Sequence, residues 1–300
     1  MTPSHVPDLA PPSPGARPSL RRIEAVVNAA SGSVGAGAAE ALSAIVAEHG
    51  YALNLAAPAP DEIGAAVKAA VDAAPDLVLI LAGDGTARLA AELSGRDGPL
   101  IAPLPGGTMN MLPHALYGHV SWQAALTAAL TTGQARDVCG GRVGEHTFYV
   151  AAILGAPALW GHAREAVRAG DLPAAWRRAS YALRRAFTGE VRYRLDAKTT
   201  GEAEALVLLS PMVAKTAERE DALQVAALGV KSAQDAFRLA LTGLVRDWRE
   251  DPGVTVGESL RGRVWAQRAI PCILDGETQR LARQVEFEFI PRAFRALATA

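Results

Sequence analysis

The chain has 300 residues, half of them hydrophobic, and a formal net charge of −1. It is long enough for about two domains with a sizeable core, and its charge gives no global case for binding nucleic acid. Cys139 and Cys272 fit neither zinc spacing nor a disulfide framework and read as core thiols of a reducing compartment; no apolar run reaches bilayer length, and Met1 to Leu20 lacks a signal-peptide core, so a cytoplasmic globular protein is expected.

Residues 1–20 carry six prolines and few apolar partners and read as a disordered leader. Ile23 to Val27 is a short β-branched run. It is followed by a polar loop with Asn28, Ser31, Gly32 and Gly35, then by a helix carrying Leu42, Ile45 and Val46. Tyr51 to Ala56 reads as a strand ended by Pro58 and Pro60, and Asp61 caps a helix with Ile63, Val67, Ala70 and Val71 on one face.

Leu77 to Leu81 is an apolar run too short for a helix, the mark of a buried parallel strand. Gly83, Asp84, Gly85 and Thr86 break it, and the helix formers Ala87, Ala90, Ala91 and Leu93 follow, with Thr86 the expected cap. Two glycines flanking a helix start allow close backbone approach, and free amides there favour phosphate. Asp84 would repel that phosphate unless a cation intervenes, which suggests Mg²⁺ or a proton-transfer role. Arg88 does not complete a Walker loop, and the third glycine of a dinucleotide fingerprint is missing. An ordinary tight strand-to-helix turn stays open at this point.

Leu100 to Leu104 gives another strand, followed by Pro105, Gly106, Gly107, Thr108, Met109 and Asn110, and a helix runs from about Ser121 to Thr131 before Gly133. Strands alternating with helices over residues 22–133 predict an open, doubly wound parallel sheet with ligands at the carboxyl ends of its strands. The loops at Asn28–Gly32, Gly83–Thr86 and Gly106–Asn110 then open on one edge, with the donors a nucleoside triphosphate needs.

Beyond Gly133 short strands are expected at Val138–Val143, Thr147–Ile153, Val191–Leu195, Ala205–Leu209, Leu223–Ala227, Gly262–Ala266, Ile270–Leu274 and Val285–Ile290, a mostly antiparallel arrangement. Helical stretches near Trp160–Phe187 and Ser232–Trp248 interrupt them. In the first of these, Arg177, Arg178, Arg184 and Arg185 flank an aromatic face that suits either anionic lipid or simple packing, with packing favoured. The resulting plan is a leader over 1–20, an α/β domain over 21–133, a β-rich domain over 134–290, and a tail over 291–300 whose packing on the first domain the sequence leaves open. His114 and His119 lack partners for a metal set, and no serine has a nucleophile-elbow setting.

The loop VNAASG at Asn28, the AGDGT turn at Asp84, PLPGGTMN ending at Asn110 and ILDGE ending at Glu277 stand together in an order that resembles the diacylglycerol kinase catalytic-domain family, which includes bacterial lipid kinases and sphingosine kinases. The resemblance implies an α/β domain and a β-sandwich enclosing a cleft, with ATP donating its γ-phosphate to a lipid hydroxyl. It implies ATP binding by Asn28, Ser31, Gly32, Ala82, Gly83, Asp84, Gly85, Thr86, Gly107, Thr108 and Asn110. It makes Glu277 the proton acceptor, with Asp84 also catalytic, and Asp84, Asp275 and Asp221 candidate ligands for Mg²⁺. A lipid substrate, peripheral contact at the inner membrane face and a homodimer fit the same resemblance, and nucleic acid does not.

The chain departs from that pattern. Ala82 replaces a glycine, Arg88-Leu89 stands where the family has an Asn-Glu pair, Met111 replaces an aspartate, and Asp221 is followed by Ala222 rather than glycine. A non-catalytic nucleotide- or lipid-binding protein of the same fold is therefore the competing reading, with NAD kinase behind it. Asp275-Gly276 also suits a plain hairpin turn.

Overall fold

The structure, a computed structural model, describes residues 18–155, 190–196, 198–213, 219–229 and 254–299. The expected helices at Trp160–Phe187 and Ser232–Trp248 lie outside the described residues, as does nearly all of the leader.

Strands β1 (Arg22–Val27), β2 (Ala52–Ala56), β3 (Leu77–Ala82) and β4 (Leu100–Pro105) pair in parallel in the order β2-β1-β3-β4. β3 and β4 are buried along their whole length, which accounts for their unbroken apolar runs, whereas the edge strand β2 has no buried residue. Helix α1 (Ala38–Glu48) packs with α5 (Trp122–Thr132), and α2 (Ile63–Asp72) packs with α3 (Asp84–Ser94). Two separate helix pairs are what a doubly wound sheet requires, one for each face. The chain leaves β1 for β2 on one side and returns to β3 on the other, so the sheet has its switch point between β1 and β3.

Local features differ from expectation, among them the cap of α2, which is Glu62 and not Asp61. α3 begins at Asp84, with Gly83 as its N-cap and no capping side chain, so Thr86 is not the cap. The reason is that GDGT is itself the first helical turn: the amides of Thr86 and Ala87 both bond the Gly83 carbonyl, at 3.1 Å each. A further helix, α4 (Met111–Tyr117), follows Asn110 directly. Pro113 falls within its first turn, where a missing N–H forfeits no intrahelical bond.

Antiparallel strands β5 (Gln134–Val143), β6 (His146–Phe148), β8 (Val191–Leu195), β9 (Thr199–Ala203), β13 (Arg261–Trp265) and β16 (Gln284–Ala298) extend the first sheet to ten strands among the described residues. A separate antiparallel sheet has the order β12 (Val254–Ser259), β11 (Leu223–Leu228), β10 (Ala205–Leu209), β7 (Ala151–Gly155), β14 (Ile270–Leu274), β15 (Glu277–Leu281). Val143, Phe148, Val264 and Phe287 of the first sheet share a core with Leu154, Leu206, Leu208 and Leu274 of the second, so the two layers pack face to face. The stretch Thr147–Ile153, expected as one strand, splits at Tyr149 and Val150 into β6 and β7, one in each sheet.

The 15-residue strand β16 ties the molecule together. It pairs with β5, shifts register between Ile290 and Phe294, and ends parallel to β4 with Ala296 opposite Ile101. Phe294, Ala296 and Leu297 are buried in the α/β core. No helix among the described residues is long and apolar enough to cross a membrane.

Candidate functional site

The loops after β1, β3 and β4 meet at the switch point, and glycine is what lets them. A Cβ added at Gly107 would lie 2.9 Å from the Gly83 Cα, and one at Gly106 would lie 2.7 Å from the Ala82 nitrogen. Both clashes are with backbone that cannot yield. Less tightly, a Cβ at Gly32 would meet Thr108 Oγ1 at 3.4 Å, and one at Gly83 would meet Ser31 Oγ at 3.6 Å. Hydrogen bonds fix the cluster: the Ser33 amide donates to the Gly106 carbonyl at 3.2 Å and its hydroxyl to the Gly107 carbonyl at 3.0 Å. Asn28 Oδ1 accepts from the Ala30 amide at 3.1 Å, shaping the first loop. Asn28, Ser31, Gly32, Ala82 to Thr86, Gly107, Thr108 and Asn110 are thus gathered on one rim.

Asp84 is a brace of that rim. Its carboxylate, 7% exposed, accepts the Asn110 amide at 2.8 Å and the Met111 amide at 2.7 Å, so it binds the free N-terminal groups of α4 to the first turn of α3. Asn110 adopts a left-handed φ of 51°, its Oδ1 accepts from the Gly107 amide at 2.7 Å, and its Nδ2 donates to the Gly107 carbonyl at 3.0 Å. Burial pushes the Asp84 pKa up to about 6 against the pull of those amides, and the charges of Asp275 and Glu277 add to the rise.

The other acids come from the hairpin joining β14 to β15. Asp275 and Gly276, with φ of 47° and 88°, form its two-residue turn, and Leu274 pairs with Glu277 across it. Asp275 is almost wholly buried and accepts the amides of Tyr149, Val150 and Ala151 at 2.7, 2.8 and 2.9 Å. Those are the amides freed where the chain leaves one sheet for the other, so this carboxylate seals the split between β6 and β7. Burial raises its pKa while the three amides oppose the rise. Glu277 points the other way. A Cβ on Gly85 would lie 3.6 Å from its Cδ and its Oε1, so its carboxyl packs on the first turn of α3.

Asp221 has an exposed carboxylate held by Arg219 through Nε at 2.8 Å and Nη2 at 3.0 Å. No group of three or more His, Cys, Asp or Glu among the described residues is arranged to hold a metal. With Asp84 and Asp275 spending both oxygens on amides, these carboxylates do not fit a resident magnesium ion. A groove of about 1270 Å³, with Arg194, Arg261 and Arg280 among its lining, holds none of the rim residues.

Sequence reasoning did not reach the amide partners of Asp84 and Asp275, nor helix α4. The motif order alone brought Glu277 to the rim.

The glycine loops at the switch point and the Glu277 acid of the antiparallel unit thus meet at the first turn of α3. The family model of the diacylglycerol kinase catalytic domain matches residues 22–143, so the resemblance carried by the motifs extends over the α/β unit. Among solved structures, a diacylglycerol kinase from Bacillus anthracis str. Sterne is 13% identical at a TM-score of 0.68, covering 94% of this chain and 98% of that one. A second structure from the same strain is 16% identical at a TM-score of 0.68, covering 94% and 99%. An NAD kinase from Archaeoglobus fulgidus in complex with ATP is 11% identical at a TM-score of 0.51, covering 92% and 94%. At such identities the likeness shows the fold. No curated protein matches the chain.

Proposed function

We propose that the protein transfers the γ-phosphoryl group of ATP to a lipid hydroxyl, on diacylglycerol or a sphingoid-type base. The observation that carries this is the placement of the Glu277 carboxyl against Gly85, beside the loops suited to a triphosphate. The family match over residues 22–143 supports it.

Phosphoryl transfer asks a protein for positioning and charge balance more than for covalent chemistry. The rim amides and hydroxyls hold the phosphates, and magnesium enters with the nucleotide as part of the substrate. Glu277 takes the proton of the acceptor hydroxyl as its oxygen bonds the γ-phosphorus. The bond from that phosphorus to the β–γ bridging oxygen breaks, and ADP leaves. Asp84 contributes by pinning α4, and with it Asn110, to the rim.

The test is incubation with γ-labelled ATP, Mg²⁺ and vesicles containing diacylglycerol or sphingosine, with NAD in a parallel reaction. A labelled phospholipid is expected. Labelled NADP without lipid product would replace this reading with NAD kinase, and nucleotide binding without any product would replace it with the non-catalytic reading that Arg88, Met111 and the altered Asp221 loop motivate.

A further inference from the structure

Arg88 occupies the second turn of α3, three residues past Gly85 and so about 4.5 Å further along the axis on the same side of the helix. That side meets Glu277 at Gly85. The Arg88 side chain is only 16% exposed, and its Nη1 is buried with no hydrogen-bond partner among the described residues. Its ion-pair partner among the described residues is Glu92, a loose 3.9 Å from Nε. The Arg88 charge acts on Tyr149, Cys272 and Asp275, which places it close to the second sheet and to the hairpin bearing Glu277. Asp275 does not claim it, because that carboxylate is bonded to the amides of Tyr149, Val150 and Ala151.

An enclosed guanidinium with an unmet donor is a costly thing for a fold to keep. Its long side chain can turn toward the rim without giving up a hydrogen bond at Nη1. A forked cation is the group that best matches phosphoryl oxygens. We propose that Arg88 binds the terminal phosphoryl group of the nucleotide and neutralises charge there, in a chain whose described carboxylates do not organise a resident magnesium. This rests on the kinase reading above and goes beyond it, since the resemblance places an asparagine at this position.

Isothermal titration of the full chain with ADP and with the non-hydrolysable β,γ-imido analogue of ATP, both with Mg²⁺, separates the two claims. The wild type is expected to bind the imido analogue more tightly than ADP. Arg88→Gln is expected to reduce that preference about tenfold or more while leaving ADP affinity within about twofold, since ADP lacks the group Arg88 holds. ADP binding reports that the variant is folded; if Arg88→Gln loses it, Arg88→Met, which keeps an unbranched side chain without charge, is read in its place. An unchanged preference in a variant that still binds ADP overturns the role of Arg88 and leaves the kinase reading standing. A wild type that binds neither nucleotide overturns both.

Discussion

The turn that opens α3 and the turn that joins β14 to β15 each carry a buried aspartate. Asp84 accepts two amides from the start of α4, and Asp275 accepts three from the crossover between β6 and β7. In both places the aspartate satisfies backbone that the fold has left exposed within its interior. Glu277, two residues beyond Asp275, faces Gly85 instead and braces no backbone amide among the described residues. The lesson is that acids which look equivalent in a motif divide between construction and chemistry, and that hydrogen-bond partners reveal the division.

Breaking the construction should show first in stability. Asp275→Ala would strand the amides of Tyr149, Val150 and Ala151 in a dry interior, and should cost about 4 kcal/mol of unfolding free energy, measured by denaturant titration. A cost under about 1 kcal/mol would mean that the crossover is satisfied in another way. Asp84 gives a pH signature. Its folded-state pKa of about 6 lies above the ordinary value of 3.8, so its stabilising contribution is complete below about pH 4 and is lost as pH rises through 6. The loss is on the order of 3 kcal/mol, and the wild-type slope between pH 4 and 6 should shrink in Asp84→Asn. Gly107→Ala sets a methyl 2.9 Å from the Gly83 Cα, and so should spread the rim and weaken ATP binding about tenfold while the β half stays intact. The milder Gly32→Ala, with its nearest contact at 3.4 Å, should move affinity far less.

Much of the α/β unit was legible in the chain because β3 and β4 are buried on both faces and their glycine-bearing ends mark sharp turns. The rim was legible for a related reason: Gly106 and Gly107 are required by backbone approach, and such glycines stand out as clusters. Helix α4 was not, since Met-Leu-Pro-His offers too few residues for a helical period and its proline reads as a breaker. Thr147–Ile153 looks like one strand because both of its halves are apolar; what divides them is Asp275, about 125 residues away. The pairing of Asp221 with Arg219 was equally hidden, being a matter of side-chain geometry rather than pattern. Long-range hydrogen bonds to the backbone leave no periodic trace, and they are what the sequence alone concealed here.

The most direct test is to measure phosphoryl transfer and nucleotide affinity side by side in the wild type and Glu277→Gln. Removing a positioned proton acceptor should lower kcat by at least about a hundredfold, with affinity for the imido analogue of ATP and stability unchanged. Equal turnover in the two proteins would contradict the account, because Glu277 would then have no part in moving the proton.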